Sequence, residues 1–484
     1  MFISGGTFAV SGSTTFQENL AGEGGAMRVI NNGLSTMRNT TFQGNGAKIS
    51  GGALYVYGSS NPLSIVNCVF QSNNAGVPGL PRGSGGAVAT QNALLSFSNT
   101  VFADNQAQNH GGCLYLGGNS ATQTVLAGPS FQSNKALIGG ALLYVTDAQL
   151  ATVSLASFAD ASEETLDIVT ASTAAVSIAQ SCGDVALGLN DASTISLSWS
   201  CPSVVSKLQL AGAGASIAIP AFTPIRKLIW SAGTLACSGA YAVAVAESGQ
   251  LTNDGSKRLD NCRLKVESTA TLNISNTVGG EVVDLVLSNS AHIVNTGQVE
   301  LVGNVTMLSQ NATSGRPAFE NQGSTLVSET LWMRSDNAAA TLLSSTKRSL
   351  LLFTVQAPFC VVNCTAQIQV EGQVVADGYL VATVPSDWEG SEVQVIAFAG
   401  SNGNKLHGSY QGGYVLDPSK LYMATDVDLR GSTVFLVVSP LSGAAVTGIV
   451  IGCLSAVALL IGTIAFFAGS QEQSPQDKAQ YESL

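Results

Sequence analysis

Side chains able to do chemistry are few in this chain and lie apart. Over residues 1–145 the acids are Glu18, Glu23 and Asp104, and one histidine, His110, sits in Asn109-His110-Gly111. General acid–base work on a polysaccharide needs carboxyl groups converging on one face, and this region holds no such run. His110 is read as a loop residue. The densest acidic run, Asp160, Glu163, Glu164 and Asp167, carries the oxygen ligands that Ca²⁺ takes; it is read as a solvated loop. No Gly-x4-Gly-Lys-Ser/Thr phosphate loop occurs. The three histidines are scattered and no close pair of cysteine motifs is present, which disfavours zinc. No cofactor or metal is expected. A net charge of −11, a pI near 4.7 and no Lys/Arg cluster exclude nucleic acid as a partner, which demands a basic footprint.

Chemistry gives way to architecture in the first 150 residues. Phe-x-x-Asn recurs five times, each copy followed by Gly-Gly and a small residue. The copies are Phe16, Asn19, Gly24, Gly25; Phe42, Asn45, Gly51, Gly52; Phe70, Asn73, Gly85, Gly86; Phe102, Asn105, Gly111, Gly112; and Phe131, Asn134, Gly139, Gly140. Successive Phe lie 26, 28, 32 and 29 residues apart, a period that marks a stacked repeat. The intervening stretches, such as Ala-Leu-Tyr-Val-Tyr and Leu-Ser-Ile-Val-Asn, are short, β-branched and bounded by Gly, Asn and Ser, as strands are. Strands so short bury a face only by stacking on their neighbours. The expected fold is all-β, a parallel β-solenoid with Phe stacked on Phe inside and Asn laddered on Asn at a turn.

Phe-x-x-Asn paired with Gly-Gly-Ala-hydrophobic resembles the repeat of the polymorphic outer membrane proteins. The resemblance covers residues 1 to about 145. It implies a right-handed parallel β-helix and, more weakly, adhesion. Those proteins end in an outer-membrane β-barrel, a pattern this chain does not share, so the secretion route does not carry over.

The remaining chain divides on composition. Residues 1–150 are the repeats. Residues 151–365 keep short strands and turns without the signature, and are read as degenerate rungs of the same solenoid, with a separate β-sandwich as the alternative. Residues 366–440 read as a C-terminal β cap. Residues 444–468 run 25 residues without a charge, long enough to cross a bilayer as a helix. Gly448, Gly452 and Ala456 form a small-residue face on which two such helices would pair. Residues 469–484 are a cytoplasmic tail.

Five Asn-x-Ser/Thr sequons, at Asn39, Asn273, Asn304, Asn311 and Asn363, are candidate glycosylation sites on an extracellular N-terminal domain. Membrane localisation, at the plasma membrane, follows from the apolar segment. No signal peptide is visible, and the chain is expected to lack its natural N-terminus. Rungs stack about 4.8 Å apart, within disulfide reach. Cys182 with Cys201 and Cys237 with Cys262 are 19 and 25 residues apart, near one rung each, and are expected to pair. Cys360 and Cys364 are expected to pair across a tight turn. Cys68 and Cys113 fall at different phases of the repeat and read as buried thiols.

These features together describe a single-pass membrane glycoprotein of non-enzymatic function, in adhesion or surface structure. Its ectodomain would meet a carbohydrate or protein ligand. The alternative is a membrane-tethered polysaccharide hydrolase or lyase. The tail ends Tyr481-Glu482-Ser483-Leu484, which resembles an adaptor-binding sorting signal with Tyr481 and Leu484 as anchors. Extended chain sets these two side chains roughly 10 Å apart. Tyr481→Ala is expected to raise the surface level of the full-length protein and slow its uptake; unchanged internalisation makes the tail a plain disordered end.

Overall fold

The computed structural model describes residues 1–439 apart from internal segments that include 78–81, 119–122, 155–165, 355–367 and 384–391. Every regular element among the described residues is a β-strand. Two long sheets run the length of the molecule, and two short ones accompany the repeats. A turn of the solenoid is four strands. The second rung, for example, is Met27–Ile30, Ser35–Arg38, Thr40–Gln43 and Gly46–Ser50, one strand in each sheet. Each pairs in parallel with its equivalent in the next rung, at Leu54–Tyr57, Leu63–Val66, Val69–Gln71 and Asn74–Ala75.

Alternating side chains on each strand point into the coil. Phe16, Phe42, Phe70, Phe102 and Phe131 are paired residue to residue along the third sheet. Their rings stack at centroid separations of 5.1, 4.7, 5.2 and 5.4 Å. Phe42, Phe70 and Phe102 are fully buried. The first sheet contributes Met27, Leu54, Val88, Leu114 and Leu143 to the facing wall. Each such side chain stabilises the fold by roughly 1.5–3 kcal/mol on burial.

Four corners close each rung, and each holds a residue with left-handed backbone. Between the first and second sheets these are Gly5, Asn31, Gly58, Asn92 and Gly118; between the second and third, Gly12, Asn39, Asn67, Asn99 and Gly128. Between the third and fourth they are Glu18, Gly44, Ser72, Asp104 and Ser133. Gly, Asn and Asp tolerate this conformation best, which is why a chain rich in these residues turns so tightly so often.

Past Val145 the cross-section narrows. Among the described residues the short sheets end at Ser130–Gln132 and Lys135–Ala136, and the two long sheets continue, as in Leu166–Thr170 and Ala175–Ala179. These strands pair in parallel with those of the repeats before them. At Ala242–Leu251 the section widens again. This strand pairs with Arg263–Val266 through its first half and Thr271–Ser275 through its second, so later rungs carry three strands. A disulfide between Cys237 and Cys262, with Cα atoms 5.1 Å apart, crosslinks successive rungs at this change.

Parallel pairing runs past residue 366, through Ile368–Glu371 to Gly412–Leu416. Antiparallel pairing begins only with Leu421–Arg430 and Thr433–Ser439. A reversed hairpin of this kind blunts the open edge of a parallel stack. No helix among the described residues is long and apolar enough to cross a membrane. The segment 444–468, the tail with Tyr481 and Leu484, Cys182, Cys201, Cys360, Cys364 and Asn363 all lie outside the described residues.

Phe70→Ala removes one ring from the middle of the stack. It is expected to lower unfolding free energy by about 3–5 kcal/mol in chemical denaturation. The exposed Gln43→Ala, one residue beyond the neighbouring ring, is expected to change it by no more than about 0.5 kcal/mol.

Candidate functional site

The repeat builds a buried polar ladder beside the Phe stack. Asn45 Oδ1 accepts from the backbone N–H and the amide of Asn19, at 3.1 and 2.9 Å. Asn73 Oδ1 receives the same two bonds from Asn45, at 3.0 Å each. The pattern continues from Asn73 to Asn105 and from Asn105 to Asn134. The second amide hydrogen of Asn73 goes to Phe42 O, 3.0 Å away; Asn45, Asn105 and Asn134 reach Phe16, Phe70 and Phe102 likewise. Each inner Asn therefore satisfies both amide hydrogens and both lone pairs of its oxygen without water. This removes the cost of burying a polar corner.

Gly-Gly fulfils two separate requirements. Gly51 lies at φ +67°, and a Cβ on Gly52 would sit 2.0 Å from Gly86 O. The fifth copy differs from the sequence assignment by one residue. Gly140, at φ +68°, occupies the position of Gly111, and Ala141 that of Gly112; Gly139 instead pairs with His110. A run of small residues there left the register ambiguous in the sequence. A further signal was overlooked: Ala follows Asn by two residues in all five copies, at Ala21, Ala47, Ala75, Ala107 and Ala136. These are paired residue to residue along the fourth sheet, and Ala47, Ala75 and Ala107 are buried.

Outside the fourth sheet, over the first three rungs, an open groove of about 780 Å³ is lined by Leu20, Gly46, Lys48, Asn74 and Val77 among others, and by no carboxylate or histidine. The candidate acid–base residues fall at the two ends of the fourth sheet, Glu18 and Asp104 at one and Glu23 and His110 at the other, with three rungs between the members of each pair. Glu23 is paired with Arg28 at 3.0 Å. Glu18 accepts from the Gln17 amide, and Asp104 is an exposed corner residue at φ +55°. His110 is half-buried across the fourth sheet from Asp104, its ring stacked on Tyr144 at 4.1 Å. Its Nδ1 is buried without a hydrogen-bond partner. Burial lowers its pKa below the usual 6.5, opposed in part by the backbone of Gly139. Among the described residues no group of three His, Cys, Asp or Glu stands close enough to hold a metal ion.

Of the sequons, Asn39 and Asn311 are exposed corner residues at φ +51° and +54°. Asn304 is half-buried. Asn273 lies within the strand Thr271–Ser275, its amide 3.5 Å from Glu300 Oε2. Cys68 is buried in a column with Thr40 and Thr100, its thiol 3.4 Å from Val66 O, and burial raises its pKa. Cys113 is buried in the column of Ala53 and Ala87.

Comparison with known families centres on the second and third rungs. The model of the Chlamydia polymorphic membrane protein repeat matches residues 39–57. The chain carries this repeat. The matched stretch includes Phe42, Asn45, Gly51 and Gly52, the ring, the ladder amide and both glycines. No curated protein and no solved structure matches the chain. In this chain the matched stretch supplies the last two strands of one rung and the first strand of the next.

Asn73→Ala strands both donors of Asn45, takes the amide from Phe42 O, and leaves Asn105 Oδ1 with only the backbone N–H of residue 73. It is expected to destabilise by about 1–3 kcal/mol for each group left buried and unsatisfied, read as a fall in Tm with the rest of the ladder intact. His110 gives a pH dependence. Its pKa is lowered in the fold, so the unfolded chain binds the proton first. Stability is at its full value above about pH 6.5 and declines as pH falls through that value toward the lowered one. His110→Phe keeps the stack and removes the proton site; the Tm difference between about pH 7.5 and about pH 5 is expected to shrink in it.

Proposed function

We propose that this is a non-enzymatic cell-surface protein whose β-solenoid serves adhesion or surface structure. The observation that carries the reading is the polymorphic membrane protein repeat built as a regular, exposed solenoid. That repeat implies a membrane or outer-membrane surface location. The coil is right-handed in this reading. The apolar segment 444–468 is its single transmembrane helix, able to pair through Gly448 and Gly452, with residues 469–484 behind it as a cytoplasmic tail. The ectodomain faces outward at the plasma membrane, and among the described sequons outside the repeats Asn311 is exposed to carry a glycan. Its ligands are met through many weak contacts along the stack rather than in one deep pocket.

Polysaccharide cleavage is the competing reading. The groove has no carboxylate in its lining, and His110 and Asp104 stand at different corners. The full chain, incubated with acidic and neutral polysaccharides with and without Ca²⁺, is expected to release no new sugar ends. Turnover that disappears in His110→Ala or Asp104→Asn would replace adhesion with catalysis. Membrane anchoring is checked separately: deleting 444–468 is expected to move the protein from the carbonate-resistant membrane fraction to the soluble one.

A further inference from the structure

The third sheet presents a surface that repeats with the rungs and holds no charge. Its outward residues form columns. Gln17, Gln43 and Gln71 are paired in register, as are Thr15, Thr41 and Val69. Just before this sheet the corner residues Asn39, Asn67 and Asn99 stand in line and exposed, at φ +51°, +51° and +48°. Two tracks of amides therefore run along the axis. Four residues of extended chain separate them, about 13 Å, with a strip of Thr and Val between. The segments 39–43, 67–71 and 99–103 read Asn-Thr-Thr-Phe-Gln, Asn-Cys-Val-Phe-Gln and Asn-Thr-Val-Phe-Ala, without Asp, Glu, Lys, Arg or His. Charges begin just outside the strip, at Arg38 on one flank and at Glu18 and Asp104 on the other.

We infer that this face binds a neutral, extended polysaccharide lying along the solenoid axis. The inference rests on the adhesion reading and names its ligand class. Amide groups donate to and accept from sugar hydroxyls, and the Thr and Val methyls offer apolar surface to the C–H face of a pyranose ring. An extended β-linked pyranose chain advances by about one rung spacing per sugar, so each residue meets an equivalent set of groups. Electrostatics selects against anionic glycans: the face offers them no cation, and the chain as a whole carries −11, which repels them at long range. A protein partner fits less well. The aromatic rings of this sheet all stack inward, so the face lacks the aromatic anchors on which protein interfaces depend.

The test uses the full chain in detergent and β-1,4-linked glucan oligosaccharides of increasing length, with polygalacturonate as the anionic control. Affinity is expected to rise with each added sugar and level off at about three residues, because each amide column is three rungs long and rungs are spaced about 4.8 Å apart. Gln43→Ala/Gln71→Ala is expected to weaken glucan binding about tenfold, the loss of roughly 1.4 kcal/mol of hydrogen bonding, with the circular dichroism spectrum unchanged. Gln43→Glu, which keeps the shape and adds charge, is expected to weaken it as well. Glucan binding that ignores these substitutions, a preference for polygalacturonate, or no binding to any length overturns the inference. Beads bearing the full chain are scored in parallel for attachment to cells. Attachment without glucan binding removes the ligand class and leaves adhesion standing; attachment to neither removes both.

Discussion

A buried corner in a β-solenoid has to satisfy its own backbone, and the four-sided rungs of this molecule depend on how the Asn ladder does so. Where the third sheet turns into the fourth, the backbone N–H of each inner Asn and the carbonyl of the Phe one rung below it are met by carboxamides. One carboxamide per rung supplies two donors and a doubly accepting oxygen, and the next rung supplies the complementary set. The arrangement works only when identical residues stand directly above one another. Register is therefore enforced by hydrogen bonds at the corner as well as by apolar packing on the walls. The Phe rings follow from the same rule. Held at one phase of the coil, they can stack face to face on ring spacings of 4.7 to 5.4 Å.

The constraint also explains where the repeat stops. Four-sided rungs need a ladder residue, a left-handed residue at each corner and an alanine in the fourth sheet. Once the sequence ceases to provide these, past Val145, the two short sheets end among the described residues and the coil continues on the two long walls. The inner residues of those walls, such as Leu187, Leu208, Leu228 and Ile217, are aliphatic and pack without a polar ladder. Beyond Ala242–Leu251 the coil widens to three strands, and there Asn295 and Asn321 reappear as a buried amide pair, 3.0 Å apart. A low charged fraction, 11% against roughly 25% in ordinary domains, suits this construction. Like charges stacked one rung apart would repel at every step.

The repeat half of the fold was legible because both anchors of each copy, Phe and Asn, are three residues apart with no room for insertion between them. Loop length varies elsewhere, between Asn and Gly-Gly, and there the sequence misled: the fifth copy slips by one residue from Gly139 to Gly140. The Ala column was equally legible and was overlooked, since alanine in a small-residue-rich chain carries little contrast. The corner residues were hidden for a different reason. Gly, Asn, Ser, Asp and Glu all fill them, so no single letter repeats down a column. The changes from four strands to two and then three per turn leave no mark in periodicity, because short strands of β-branched residues look alike whichever wall they join. The candidate acid–base residues gave no convergent pattern in the sequence, and the solenoid sets them at two corners, three rungs apart within each.

Register is the central claim, and a crosslink reads it directly. Gln43 and Gln71 stand opposite each other on adjacent rungs, about 4.8 Å apart and within the Cα separation a disulfide accepts. In Gln43→Cys/Gln71→Cys, mild oxidation is expected to form an intramolecular bond in the folded protein, seen as a linked peptide pair by mass spectrometry. Gln43→Cys/Val69→Cys keeps both residues on the same face but two positions out of step, and is expected to stay reduced. Efficient linkage of 43 to 69 with none of 43 to 71 would contradict the in-register ladder on which the account stands.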